Sequence, residues 1–127
     1  MRRKLMERRA LKILCAEDNP QIGEVLVCLF SRLGHDVKHA HNGREAWEVL
    51  ARDVRAFDLV VTDHQMPEMG GTDLVGFLRQ AGFPGRLVVY SSSLNERERA
   101  RYVQLGVHAI VEKSAVAADL LAAVEGD

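Results

Sequence analysis

At 127 residues, with 47% apolar and 28% charged residues, the chain has the make-up of one soluble globular domain, long enough for a single sizeable core and too short for two. A formal net charge of −1 excludes a general electrostatic pull toward nucleic acid. Cys15 and Cys28 show neither metal-ligand nor paired spacing, so both are expected as reduced core thiols of a cytoplasmic protein.

The opening M-R-R-K-L-M-E-R-R-A is basic and leads into one short apolar run followed by acids, which suits neither a signal peptide nor a membrane span. It is expected to be a solvated basic arm over residues 1–10, ahead of a single domain over 11–127. Leu11 to Ala16 reads as a strand that ends in two acids, Glu17 and Asp18. Asn19 can cap the next helix and Pro20 suits its first position; Ile22, Val25, Leu26, Leu29, Phe30 and Leu33 then recur at helical spacing until Gly34. Asp36 to Ala40 alternates only partly, as an outer strand does. Asn42-Gly43 turns the chain into a second helix with Ala46, Trp47, Val49 and Leu50 as its apolar stripe.

The run from Phe57 to Thr62 is apolar and bounded by turn signals, which predicts a buried central strand with Asp63 at its carboxyl end. After the loop H-Q-M-P-E-M-G-G, Thr72 to Gln80 predicts a third helix with Leu74, Phe77 and Leu78 on one face, closed by the G-F-P-G run at 82–85. Leu87 to Tyr90 is the next buried strand and runs into Ser91, Ser92 and Ser93. Ser93 with Glu96 matches a capping box and predicts a fourth helix that starts there and ends near Gly106. Ala109 to Glu112 is a final short strand; Lys113 and Ser114 lead from it into an Ala-rich helix with Val116, Leu120 and Val124 at helical spacing.

Strands that alternate with helical crossovers run parallel, and right-handed crossovers cover the sheet on both faces. The element count therefore predicts an α/β fold, a flavodoxin-like doubly wound (βα)5 sandwich with a five-stranded parallel sheet in the order 2-1-3-4-5. In that order Glu17, Asp18, Asp63, Ser91 and Lys113 share one rim, the one where such sheets place their ligands. Carboxylates are hard oxygen ligands suited to Mg²⁺, and a lysine and a hydroxyl can hold phosphoryl oxygens, so the set points to metal-assisted phosphoryl chemistry.

These residues resemble those of bacterial response-regulator receiver domains of the two-component type. The resemblance runs from Leu11 to about Val124 and rests on the Glu17-Asp18 pair, on D-H-Q-M-P-E-M-G-G, on Ser91 and on Lys113. It implies that Asp63 takes a phosphoryl group from a histidine kinase or histidine phosphotransfer protein. It further implies that Glu17, Asp18, Asp63 and the backbone carbonyl of Gln65 bind Mg²⁺, with Mn²⁺ as a possible substitute, that Ser91 donates its hydroxyl to the bound phosphoryl group, and that Lys113 pairs with one of its oxygens. Gln65 and Ser93 fall at the two variable positions that influence phosphoryl lifetime in the family. A stand-alone receiver would pass its state to another protein through the fourth helix, fifth strand and fifth helix, with no membrane insertion and no direct contact with nucleic acid. Without metal, the clustered acids are expected to raise at least one carboxyl pKa.

The chain departs from the family pattern at three positions. Gly70 replaces the usual acid and is expected to loosen the loop after Asp63; Ile110 takes the place of the usual switch aromatic; Ser114 replaces a proline, so the Lys113–Ser114 bond is expected to be trans. His64, His39 and His41 are expected to face solvent. Two other readings stay open: a phosphorylation-independent pseudo-receiver that only binds partners, and an aspartate-nucleophile phosphatase, which would usually carry an acid where Gln65 stands. The chain could also be part of a longer regulator.

Overall fold

Strand and helix alternate throughout the computed structural model, which describes residues 10–113 and 117–126. The order is β1 (Lys12–Ala16), α1 (Pro20–Arg32), β2 (Asp36–Ala40), α2 (Gly43–Arg52), β3 (Leu59–Thr62), α3 (Gly71–Gln80), β4 (Arg86–Ser91), α4 (Glu96–Gln104), β5 (Ala109–Glu112) and α5 (Ala117–Glu125). All strand pairs are parallel, and the sheet order is β2-β1-β3-β4-β5, as the alternation predicts. Ser114 and Val116, and with them the expected trans bond after Lys113, lie outside the described residues, as do residues 1–9 of the basic arm. Among the described residues no helix is long and apolar enough to cross a membrane.

Successive strand residues point to opposite faces, and the two halves of the core follow from that alternation. Leu14, Ala16, Val60, Leu87 and Val89 pack with Ala46 and Leu50 of α2, Leu74, Val75 and Leu78 of α3, and Tyr102 of α4. Ile13, Cys15, Leu59, Val61, Val88 and Val111 pack on the other face with Leu26 and Phe30 of α1 and Leu120 and Val124 of α5. The helices therefore divide into α2, α3 and α4 on one side and α1 and α5 on the other.

Side-chain caps fix the starts of α1, α2 and α4. Asn19 accepts the backbone N–H groups of Gln21 and Ile22, and Asn42 accepts that of Glu45. The start of α4 differs from expectation: the reciprocal capping box is Asn95 with Glu98, not Ser93 with Glu96. Asn95 Oδ1 accepts the Glu98 N–H at 2.8 Å and Glu98 Oε1 accepts the Asn95 N–H at 2.9 Å. Two overlapping matches to the box occur in the sequence, and the second prevails because the chain must first carry Leu94 across the core it packs against.

Three apolar assignments are also corrected. Cys28 is exposed, because the inward face of α1 is formed by Gly23, Leu26 and Phe30 and Cys28 lies two residues from each of the last two. Val25 is 64% and Phe77 41% exposed, so neither is a core residue, although the Phe77 ring rests against Trp47 with centroids 5.5 Å apart. Cys15 is buried as expected.

Candidate functional site

β1 and β3 are neighbours with Ala16 opposite Thr62, so the residues that follow, Glu17 and Asp63, leave the sheet side by side. Their backbones are tied at this point: Asp63 N–H donates to Ala16 O at 2.9 Å and Glu17 N–H to Ala40 O at 3.0 Å. On the other side of β3, Ser91 ends β4 opposite Glu112, and Lys113 N–H donates to Ser91 O at 2.9 Å. The rim expected from the strand ends is thus assembled, with Glu17, Asp63 and Ser91 buried and Asp18 exposed.

Lys113 Nζ lies 2.9 Å from Glu17 Oε1 and 2.8 Å from Asp63 Oδ2, so one ammonium bridges two carboxylates. The remaining oxygens have partners too: Asn19 N–H donates to Glu17 Oε2 at 3.1 Å and His64 N–H to Asp63 Oδ1 at 2.7 Å. Glu17, Asp18 and Asp63 each offer an oxygen, and these three oxygens lie within 4.8 Å of one another. The donor set is all carboxylate and already organised around a positive charge, so it fits a hard divalent cation such as Mg²⁺. Gln65 is exposed, two residues beyond Asp63.

The electrostatics follow from this crowding. Burial raises the Glu17 carboxyl above its ordinary range and the charge of Asp63 adds to that, while Lys113 and the Asn19 N–H act against it. The raised carboxyl expected of a metal-free acid cluster is therefore at Glu17. For Lys113, burial works against the ammonium, but the hydrogen bonds and charges of Asp63 and Glu17 outweigh it and hold its pKa above the ordinary value.

Two histidines are not where expected. His39 is half-buried, with Nε2 2.8 Å from Glu17 O and its ring so close to α1 that a Cβ on Gly23 would lie 2.1 Å from Cε1. His64 is also turned inward: its side chain is 12% exposed, Nδ1 lies 2.6 Å from the Tyr102 hydroxyl and Nε2 2.8 Å from Glu98 Oε2. His41 is exposed, as expected. Tyr102 and Glu98 carry no motif that marks them in the sequence. The available signal was their spacing of four residues on a helix otherwise lined with charges, which puts an acid and a phenol on one face.

Gly70 is the N-cap of α3 and makes no side-chain cap, yet the loop is closed by the Gly71 N–H donating to His64 O at 2.8 Å. Ile110 is half-buried and packs with the core layer that contains Tyr102.

A family profile described as the response regulator receiver domain matches residues 13–125. The chain is 33% identical over 115 residues to the probable transcriptional regulatory protein SilR of Salmonella typhimurium, covering 90% of this chain and 49% of that protein. It is 41% identical over 69 residues to the response regulator protein PilR of Pseudomonas aeruginosa, covering 54% of this chain and 15% of that protein. A chemotaxis protein CheY homolog of Campylobacter jejuni is 38% identical over 72 residues, 54% of this chain and 53% of that protein. The chain thus spans from 15% to about half of the length of these curated relatives. Among solved structures, the signal receiver domain of a signal transduction histidine kinase from Syntrophus aciditrophicus has a TM-score of 0.79 at 28% identity, covering 92% of this chain and 89% of that one. A response regulator receiver protein from Pseudomonas putida has a TM-score of 0.84 at 23% identity, covering 94% and 99%, and shows the shared fold. With the profile spanning nearly the whole sequence and the sheet order matching, the chain belongs to the response regulator receiver domain family of two-component systems.

Proposed function

We propose that Asp63 accepts a phosphoryl group from a phosphohistidine of a histidine kinase or histidine phosphotransfer protein, and that the modified domain changes its hold on a partner. The observation that carries this reading is the arrangement at Asp63: its Oδ2 is 2.8 Å from the Lys113 ammonium, and Glu17 and Asp18 bring oxygens within 4.8 Å of it. In the transfer, an Asp63 carboxylate oxygen forms a bond to phosphorus while the phosphorus–nitrogen bond of the donor breaks. The electron pair returns to the donor imidazole and an acyl phosphate remains on Asp63. Little covalent work falls to the protein in such a reaction; its part is alignment and charge neutralisation.

Glu17, Asp18, Asp63 and the Gln65 carbonyl would hold Mg²⁺, or Mn²⁺, which supplies positive charge for the phosphoryl oxygens. Lys113 is then released from Glu17 to pair with a phosphoryl oxygen, and the Ser91 hydroxyl donates to another. The partner face is formed by α4, β5 and α5, where Arg97, Arg99 and Arg101 are exposed and Arg99 already lies 3.9 Å from Glu112 of β5. Reversing these three charges is expected to abolish partner binding. A cytoplasmic location goes with a donor of this kind.

The test is incubation with acetyl phosphate, or with beryllofluoride, in the presence of Mg²⁺. Intact-mass measurement is expected to show an acetyl-phosphate-dependent adduct in the wild type and none in Asp63→Asn. An adduct that persists in Asp63→Asn, or none in either protein, overturns the reading.

A further inference from the structure

Asp63 and His64 are consecutive, yet their side chains serve different parts of the fold. The His64 backbone N–H donates to Asp63 Oδ1 at 2.7 Å, while the His64 ring is fastened to α4 at both nitrogens, to the Tyr102 hydroxyl at 2.6 Å and to Glu98 Oε2 at 2.8 Å. Glu98 and Tyr102 are four residues apart and so stand one turn apart on the same helix face, with the imidazole spanning them as a bracket. The donor directions follow from the chemistry. An ionised carboxylate only accepts, so Nε2–H donates to Glu98; in the neutral imidazole Nδ1 is then the acceptor, to which the Tyr102 O–H donates. The Asn95 N–H and His64 hold the Glu98 carboxyl below its ordinary range, and burial pushes the Tyr102 hydroxyl up to about 12, so both groups keep these roles at neutral pH.

α4 is held to the core at its two ends, by Leu94 before it and by Leu105 and Val107 after it, and within the helix by one side chain. Tyr102 is its one buried residue, fully covered; Glu98 is half-buried and the remaining residues of the helix are exposed. The phenol oxygen comes in over Gly71, where a Cβ would lie 2.6 Å from it and 2.3 Å from the carbonyl of Asp63. The fold thus brings the hydroxyl of α4 against the backbone that follows β3, and the side chain it meets there is the one joined by a single peptide to Asp63.

We propose that the His64–Tyr102–Glu98 bracket carries a change at the Asp63 carboxylate to α4. This rests on the reading of Asp63 as the phosphoacceptor. Phosphorylation on Oδ2 turns the carboxylate into an acyl phosphate, in which Oδ1 is a neutral carbonyl and the negative charge sits on the phosphoryl oxygens; a hydrogen bond to a charged acceptor is about twice as strong as one to a neutral acceptor, so the His64 N–H loses much of its hold on Oδ1. The peptide at 63–64 then reorients. Because both ring nitrogens are bonded to one helix, the ring cannot follow without drawing Glu98 and Tyr102 with it, and no second buried residue within α4 opposes that shift. No change in protonation of His64 is needed.

The experiment compares the backbone amide spectra of ¹⁵N-labelled wild type, Tyr102→Phe, His64→Phe and the double variant, each with and without beryllofluoride and Mg²⁺. Tyr102→Phe keeps the buried ring and removes only the hydroxyl, so it reports even if His64→Phe fails to fold. The adduct is expected at Asp63 in all of them, seen at Glu17 and Lys113. The adduct-dependent shifts of residues 96–104 are expected to shrink in Tyr102→Phe, to vanish in His64→Phe, and to be equally absent in the double variant, since both act on one route. A merely structural role would lower the melting temperature and leave these shifts in place. Shifts in α4 of wild-type size in Tyr102→Phe or His64→Phe, or a wild type whose adduct leaves α4 unmoved, overturn the bracket alone. No adduct in the wild type removes the phosphoacceptor reading and the bracket together.

Discussion

Gly71 and Gly76 lie in the same helix, α3, and Gly→Ala at the two positions is expected to move stability in opposite directions. Alanine is favoured over glycine in a helix interior by about 0.5–1 kcal/mol, because glycine gives up more backbone freedom on folding. At Gly76 an added Cβ meets nothing within 4 Å, so that gain is unopposed. At Gly71 the new Cβ would lie 2.3 Å from Asp63 O, 2.6 Å from the Tyr102 hydroxyl and 3.1 Å from His64 Cα, where real Cβ atoms stay beyond 3.0 Å. The carbonyl belongs to a backbone hydrogen-bonded into the sheet, and the hydroxyl is held by His64, so neither is the loose end of a side chain. Overpacking of this kind costs about 1–3 kcal/mol and occasionally more, and the first helical position gains least from propensity, so the clash prevails. Urea unfolding at constant slope is the assay, because a shift of midpoint without a change of slope is a change of stability. Gly76→Ala should raise the midpoint by up to about 1 kcal/mol in stability and Gly71→Ala lower it by roughly 1–3 kcal/mol. A Gly71→Ala protein as stable as the wild type would show that α3 does not seat against Asp63 and Tyr102 as described.

Three further expectations concern the cap of α4, the two thiols and His108. Asn95→Ala should cost about 1 kcal/mol, a melting-temperature drop of about 3–6 °C, while Ser93→Ala stays within about 0.5 kcal/mol; equal effects would argue against a cap at Asn95. An aromatic disulfide reagent at pH 8 should titrate Cys28 in the native protein and Cys15 only after denaturation, since Cys15 is buried and burial pushes its thiol up to about 12; two fast thiols would contradict this. His108 accepts the Leu87 N–H on Nδ1, and burial, with Arg86 and Arg79 nearby, depresses its pKa. A folded-state pKa below the unfolded one, near 6.5, means stability is intact above that pH and declines as pH falls through the folded value, so unfolding midpoints measured from pH 7 to pH 5 should fall less in His108→Gln than in the wild type.

The parts of the structure legible in the sequence are those decided by local pattern. Apolar runs such as Leu59 to Val61 have to be buried on both faces, and where each run stops the backbone leaves the sheet, so Glu17, Asp63, Ser91 and Lys113 were placed on one rim without knowing any distance. The sheet order followed because parallel strands leave few ways to wind. What the pattern misplaced were residues whose environment depends on the angle of a helix. Cys28 and Val25 belong to an apolar spacing broad enough to wrap past the buried face of α1, and only the packing of Leu26 and Phe30 shows which side is inward. The Ser93–Glu96 and Asn95–Glu98 matches are equally good as strings, and the path of Leu94 over the core separates them.

His64 shows why the remainder was hidden. A histidine in a polar loop is commonly solvated, and nothing within a few residues of it argues otherwise. Its partners lie 34 and 38 residues away, in a helix whose sequence reads as almost wholly exposed. The inward turn of the ring needs two conditions to hold together: a tyrosine in α4 at the one position that faces the sheet, and glycine at 71 so that the hydroxyl can approach the backbone. Each looks unremarkable in the sequence, since Tyr102 could be any core aromatic and Gly71 any helix-start glycine. Their pairing also bears on Ile110, whose side chain is wholly apolar, whereas the same core layer contains Tyr102 with its hydroxyl on the residue after Asp63. The hydroxyl that reaches the residue after Asp63 therefore comes from α4, while β5 is linked to the same rim through Lys113, the residue that follows it.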